Sequence, residues 1–353
     1  MKKTVSMIDY IGCYSKNSGP VGHSLKVIHD YIQDFSDDLD MEIMAPEGYV
    51  AEIEAEHTCV LPYYMDAILS GKNVWQNILE MLRSFCNIRY ALKHSISDIV
   101  WFYNVNQFLF MYLFLFGLHG KKVIITLFAR EYSKSYHNFC LKKVLSKVSL
   151  IVSSNPEFDQ DKYHCIYAPD YMYDPAIYES YCKEPKESKV VCVGTMNASK
   201  RIVELIEAFA GSDMQLEIYG LFYDKEYYQK AVGKCTENIR IEDRYLEYEE
   251  YLRILGSAQY CVLPYSMDAY SNFTSGVLLE CMYVQTVPVT DMRLLSKMGI
   301  NGAGYRKIEE LSQMKFGESE YYRLVKANND LVEKDYSLDR FRTKIVEAVN
   351  SLN

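Results

Sequence analysis

Short apolar runs, many of them β-branched, alternate along this chain with longer amphipathic segments, and this alternation narrows the possible folds most. Runs of four to eight apolar residues read as buried strands, while apolar positions recurring every three or four residues read as helices. In the first half the expected strands are 4–11, 41–45, 98–103, 121–128 and 148–153, with helices at about 22–35, 74–95, 106–118 and 133–146. The second half repeats the scheme with strands at 188–194, 214–220, 238–242, 259–265 and 286–291, and helices at about 200–210, 224–234, 246–257 and 276–284. Strands that alternate with helices form parallel sheets covered on both faces.

At 353 residues the chain is too long for one ordinary core and suits two domains. The expected division is 1–168, a proline- and tyrosine-rich linker at 169–187, and 188–335, followed by an amphipathic helix at 336–353. Doubly wound domains bind ligands where strands run into helices at the carboxyl edge of the sheet. Chemistry is therefore sought at those turns.

Composition removes several classes. The formal net charge is −9 and neither half is basic, which argues against nucleic acid as a partner. All seven histidines precede residue 165, so a histidine-based metal site in the second half is excluded. Ten cysteines without a close CxxC pair do not form a disulfide framework, and Cys192, Cys261 and Cys281 read as small buried hydrophobes. The start shows no secretory signal, because Lys2 and Lys3 lead into a strand-like run containing Asp9. The longest apolar stretch, 108–118, is too short to cross a bilayer of about 30 Å. The expected compartment is the cytoplasm.

Three turns carry candidate chemistry. In YSMDAYSNFTSGVLLECMYV (265–284), a polar loop opens a helix at Thr274, Ser275 and Gly276. Free N–H groups and the positive end of the dipole there favour a phosphate, and Gly276 lets the backbone approach it. Glu280 lies one turn further in, amid apolar neighbours. It serves either a ligand hydroxyl pair or the outer face of an ordinary capped helix. In VVCVGTMNASKRIVELIEAF (190–209), Lys200 and Arg201 start a helix after a strand. They are either diphosphate ligands through charge-assisted bonds or a solvated pair. In SKNSGPVGHSLKVIHDYI (15–32), Gly19, Pro20 and Gly22 suggest a tight turn before the first long helix, which either offers backbone amides to the donor phosphate or the acceptor, or is only a turn. His23 is a candidate base, or a packed or solvated histidine.

The order of these segments in the second half resembles the donor half of retaining glycosyltransferases of family 4, which have the GT-B fold of two Rossmann-like domains facing a cleft. The resemblance is specific over about 165–300 and holds by layout before that. It implies that Lys200 contacts the donor diphosphate, that Ser275 and Gly276 cap it, and that Glu280 holds the ribose. The base would rest near Asp243–Tyr245. Asn272 falls where many members have a first glutamate, Thr195 where many have an arginine, and Phe128 where a histidine is usual. Arg201 would supply the missing charge.

The implied activity is metal-independent sugar transfer from a nucleotide-diphosphate donor to a glycan or lipid-linked glycan, with retention, as in bacterial surface polysaccharide synthesis. No cofactor is implied. Asp38–Leu39–Asp40 and Asp159–Gln160–Asp161 match a metal-binding DxD pattern but lie in acidic, exposed-looking segments. The basic stretch 121–147 beside the apolar helix 106–118 offers a peripheral membrane contact, or is a solvated face over a buried helix. Two other readings stand. One is a catalytically silent partner that binds a nucleotide sugar, for which Asn272 and Thr195 speak. The other is a GT-B epimerase, which would need acid and base groups that a half without histidine does not offer.

Overall fold

A computed structural model describes residues 2–352, apart from 16–18, 22, 67–72, 129–131, 133, 159–161, 170–171, 184, 271–274 and 316. The chain forms two compact units, Met1–Asp170 with Phe341–Asn353, and Tyr171–Arg340.

Unit 1 begins with β1 (Lys3–Ile8), β2 (Cys13–Ser15), β3 (Gly19–Val21), α1 (His23–Phe35) and β4 (Leu39–Pro46). It continues with α2 (Glu47–Val50), β5 (His57–Leu61), β6 (Met65–Asp66), α3 (Val74–His94) and β7 (Ile99–Phe102). The last members are α4 (Gln107–Phe116), β8 (Lys122–Leu127), α5 (Ser135–Leu145), β9 (Leu150–Ser153) and β10 (Cys165–Tyr167). Seven strands form one parallel sheet in the order β10-β9-β8-β7-β1-β4-β5. The central strands β1, β7, β8 and β9 are buried nearly throughout, as apolar runs covered on both faces must be. β2, β3 and β6 form a small separate sheet. Gly19 and Pro20 are therefore not a tight turn before α1: they pair antiparallel with Ser15 and Tyr14 as one arm of a hairpin.

Unit 2 contains α6 (Pro175–Cys182), β11 (Glu187–Val193), α7 (Ile202–Phe209), β12 (Leu216–Gly220), α8 (Lys225–Val232) and β13 (Ile239–Asp243). There follow α9 (Tyr248–Ser257), β14 (Ala258–Leu263), α10 (Met267–Tyr270), α11 (Gly276–Tyr283) and β15 (Val287–Asp291). α12 (Met292–Met298), β16 (Ala303–Tyr305) and α13 (Glu318–Leu331) complete it. Its sheet runs β13-β12-β11-β14-β15-β16, all parallel. The segment read as a linker contains α6, which Asp174 caps through the Ala176 N–H and Pro175 starts with a preset φ. Tyr178 of α6 is buried in the unit 2 core, which is why this stretch folds as part of the domain.

The last helix, α14 (Leu338–Ser351), belongs from Phe341 onward to unit 1. Phe341 packs on Tyr31 and Phe35 of α1, and Arg342 pairs with Asp37 and Asp38. Both sheets share a consequence of winding outwards from a central strand. In each, the chain starts in the middle, builds one side, then crosses to the other. The switch points lie between β1 and β7 in unit 1 and between β11 and β14 in unit 2. Open α/β sheets bind ligands at the carboxyl side of that point.

Candidate functional site

In unit 2 the switch point is shaped by glycine. β11 runs into Gly194, whose φ of +110° is one that side chains rarely adopt. A Cβ there would lie 3.1 Å from Lys200 Nζ and 3.8 Å from Val277 Cγ2. Gly220, at the end of β12, is fixed by the same approach, since its Cβ would meet the Gly194 carbonyl oxygen at 1.7 Å. After Gly194, Asn197 caps a short 3₁₀ turn (Ala198–Lys200) by accepting from the Ser199 N–H. Arg201 then takes a left-handed conformation, φ 46°, before α7 begins. A non-glycine residue held there is strained, and such strain gathers at ligand sites.

The turn puts Lys200 inside the protein, only 6% exposed. Its ammonium sits 5.6 Å from the centroid of the Tyr265 ring, and no described carboxylate lies within ion-pair distance. Burial draws its pKa below the ordinary lysine value. A buried cation without a counter-ion is costly, and an anion at this point would remove the cost.

The other wall is the start of α11. Ser275, buried, is its N-cap: Oγ accepts from Leu278 N–H at 3.3 Å and lies 3.0 Å from the Tyr265 hydroxyl. Tyr265 in turn stacks on Tyr270, with centroids 3.9 Å apart. The first N–H groups of a helix have no intrahelical acceptor. Gly194, Lys200, Tyr265 and the start of α11 thus lie together at this switch point. Arg201 stays half-exposed with a long contact, 3.5 Å, to Glu204. Its positive charge also helps hold the Asp291 carboxyl low, where burial is opposed mainly by Arg293. Asn272 and Thr274 lie outside the described residues, as does Gly22; the side chain of His23 is likewise not described.

Glu280 is buried rather than solvent-facing. Its two oxygens accept from Tyr248 at 2.8 Å and Tyr251 at 2.5 Å, three residues apart on α9. Tyr248 also meets the hydroxyl of Tyr178 at 3.0 Å. Burial, reinforced by the Glu280 charge, holds the Tyr251 hydroxyl well above its ordinary pKa, so it stays a donor. The sequence reading missed these tyrosines. Their only signal was the spacing in YLEYEEY and the excess of tyrosine over phenylalanine, 32 against 15. At the end of β13, Asp243 is occupied by Lys225 and the Phe222 N–H, while Tyr245 is exposed.

In unit 1 the switch point holds Asp9, directly after β1. Oδ1 accepts from the Ile11 N–H at 3.3 Å, while Oδ2 is buried with no hydrogen-bond partner among the described residues. Burial pushes its pKa up to about 7, against smaller opposing effects of Tyr49, Ile11 and Asn104. Three strands away, after β9, Ser154 Oγ and Asn155 Nδ2 are also buried without partners among the described residues. Phe128, where a histidine was expected, packs edge-on against Tyr103.

Among the described residues, the one grouping with metal-ligand spacing is Asp40, Glu56 and His57. It lies at the amino edge of the unit 1 sheet, at the starts of β4 and β5, away from either switch point. Asp38 of the first DxD pattern pairs with Arg342, and the second pattern lies outside the described residues.

No protein-family model and no curated protein matches the chain. Solved structures do. Sucrose-phosphate synthase from Thermosynechococcus elongatus is similar over 99% of both chains, with a TM-score of 0.72 and 11% identity. A UDP-forming α,α-trehalose-phosphate synthase from Burkholderia xenovorans covers 100% of this chain and 99% of its own, at TM-score 0.71 and 11% identity. Anabaena HepE, solved in complex with UDP and glucose, covers 99% of this chain and 100% of its own, at TM-score 0.64 and 12% identity. What the chain shares with all three is the GT-B architecture of two Rossmann-like domains.

Proposed function

We propose that the chain is a glycosyltransferase that binds a nucleotide-diphosphate sugar in unit 2 and passes the sugar to a glycan or lipid-linked glycan with retention. The observation that carries this reading is the buried ammonium of Lys200, which pairs with no described carboxylate, between Gly194 and the start of α11. A diphosphate matches the Lys200 charge and the donor character of a helix start. The GT-B neighbours, one of them holding UDP and glucose, support the donor class.

In this reading the bond from the anomeric carbon to the diphosphate breaks first. Negative charge grows on the leaving phosphate, and Lys200, Arg201 and the α11 start stabilise it where it develops. Because these groups supply the positive charge, no metal is assigned a role. The acceptor hydroxyl enters on the face the diphosphate leaves, forms the bond to the anomeric carbon and gives its proton to the departing phosphate oxygen. Glu280 holds the ribose hydroxyls, and Tyr248 and Tyr251 fix its carboxylate. A carboxylate offers about four acceptor positions, so tyrosine and ribose hydroxyls are compatible there. A lipid-linked acceptor would place the chain in surface polysaccharide assembly.

Asn272 and Thr195 favour a second reading, a partner that binds the donor without turning it over. Calorimetry with UDP-, GDP- and ADP-glucose in EDTA, on wild type and Glu280→Ala, tests the site. Micromolar binding of one donor, lost in the variant, is expected; no binding of any donor would remove the assignment. Release of nucleoside diphosphate on adding acceptor then separates enzyme from silent partner.

A further inference from the structure

The sequence offers a membrane contact at 106–147, yet half of α4 is core: Phe108, Leu109, Phe110, Tyr112 and Leu113 are buried. What unit 1 exposes is the amino-terminal half of α3. Val74 is 72% exposed, Trp75 79%, Leu79 49% and Leu82 52%, with Ile78 at 38%. At about 100° per residue these five side chains fall within an arc of about 140° on one face of the helix. Soluble domains rarely leave so many large apolar groups together in water.

The patch continues onto neighbouring helices. Phe85 of α3 meets Phe116 at the end of α4, with centroids 6.2 Å apart, and Phe114 meets Phe139 of α5 at 5.4 Å. Leu115, Phe116 and Phe139 are more than half exposed. The border is cationic. Lys134 lies over the Tyr136 ring and Lys143 over the Phe139 ring, each at 5.8 Å. α3, α4 and α5 together carry Arg83, Arg89, Lys93, Lys142 and Lys143 against Glu80 alone. Neither Lys134 nor Lys143 pairs with a described carboxylate. No described helix is long and apolar enough to cross a membrane.

We propose that this face of unit 1 docks on an anionic lipid bilayer, with the first turns of α3 inserted at the headgroup level and the lysines of α5 on lipid phosphates. An apolar stripe rimmed by lysine, with a tryptophan at its tip, is the chemistry of a helix that lies in a membrane surface. The alternatives, a second copy or a protein partner, would have to accommodate an almost purely cationic rim. The proposal does not depend on the transferase reading.

The chain supplies its own probe. It has two tryptophans, and Trp101 is fully buried, donating to Thr126 at 2.8 Å. Lipid therefore changes the emission of Trp75 alone. Vesicles of phosphatidylglycerol and phosphatidylcholine should float the wild-type chain and move its emission to shorter wavelength; pure phosphatidylcholine should do neither. Lys134→Ala with Lys143→Ala should weaken binding about 30-fold. Ile78→Ser with Leu79→Ser should abolish it without lowering the melting temperature, since both positions are exposed. No flotation, or equal flotation on neutral vesicles, would overturn the proposal. So would a Trp75 shift that follows protein concentration without lipid, which would assign the face to a second copy.

Discussion

The two switch points are near mirror images in charge. After β11, unit 2 buries a lysine whose ammonium has no described counter-ion; after β1, unit 1 buries an aspartate with one oxygen that has no described hydrogen-bond partner. Burial acts on both in the direction that favours neutrality, pulling Lys200 down and pushing Asp9 up to about 7. The difference lies in what surrounds them. Lys200 faces a helix start, a glycine edge and an aromatic ring. Asp9 sits among hydrogen-bond donors, Tyr49, Ile11 and Asn104, that offset only part of the cost of its burial. The same topology thus buries a cation in one unit and a carboxyl raised towards neutral pH in the other.

Protons give the largest test of this contrast. Asp9 in the folded chain titrates near 7, above the ordinary value of about 3.9. Between those values the folded state keeps a proton that the unfolded state has lost, so stability falls as pH rises through that window and levels above it. Asp9→Asn removes the slope. Relative to wild type, the variant should gain up to about 4 kcal/mol between pH 4 and pH 8 in urea unfolding. Parallel profiles would show that Asp9 is not the strained partner in the comparison.

Next in size is the loss of donor affinity in Lys200→Ala, about 100-fold or about 3 kcal/mol, measured with a nucleoside diphosphate. An unchanged affinity would move the anion site elsewhere and dissolve the contrast. Smaller still is Tyr248→Phe, which leaves Glu280 one donor short. Donor binding should weaken about fivefold, near 1 kcal/mol, and preference for ribose over 2′-deoxyribose donors should narrow. A merely structural tyrosine would leave that preference alone.

Both sheets were legible in the sequence because their central strands are buried on two faces and read as unbroken apolar runs, such as VVCV and VIITL. β5 was not: HTCVL alternates exposed and covered positions, and its partner strand decides its place. Short β10, half-buried throughout, was missed for the same reason. Glu280 stood out because a carboxylate amid apolar residues needs partners. Those partners lie 32 and 29 positions away on another helix, beyond any local pattern. The exposed stripe on α3 was hidden differently. Its period announced a helix, but a period does not say which face the fold covers.

The most direct measurement is thermal unfolding of wild type and Lys200→Met, each with and without UDP in EDTA. Methionine keeps much of the volume and removes the buried charge. The account predicts that the variant melts higher than wild type without nucleotide, and that UDP raises the wild-type melting temperature but not the variant's. If the variant melts lower and UDP stabilises both alike, Lys200 is a structural cation, and the donor site is not at this switch point.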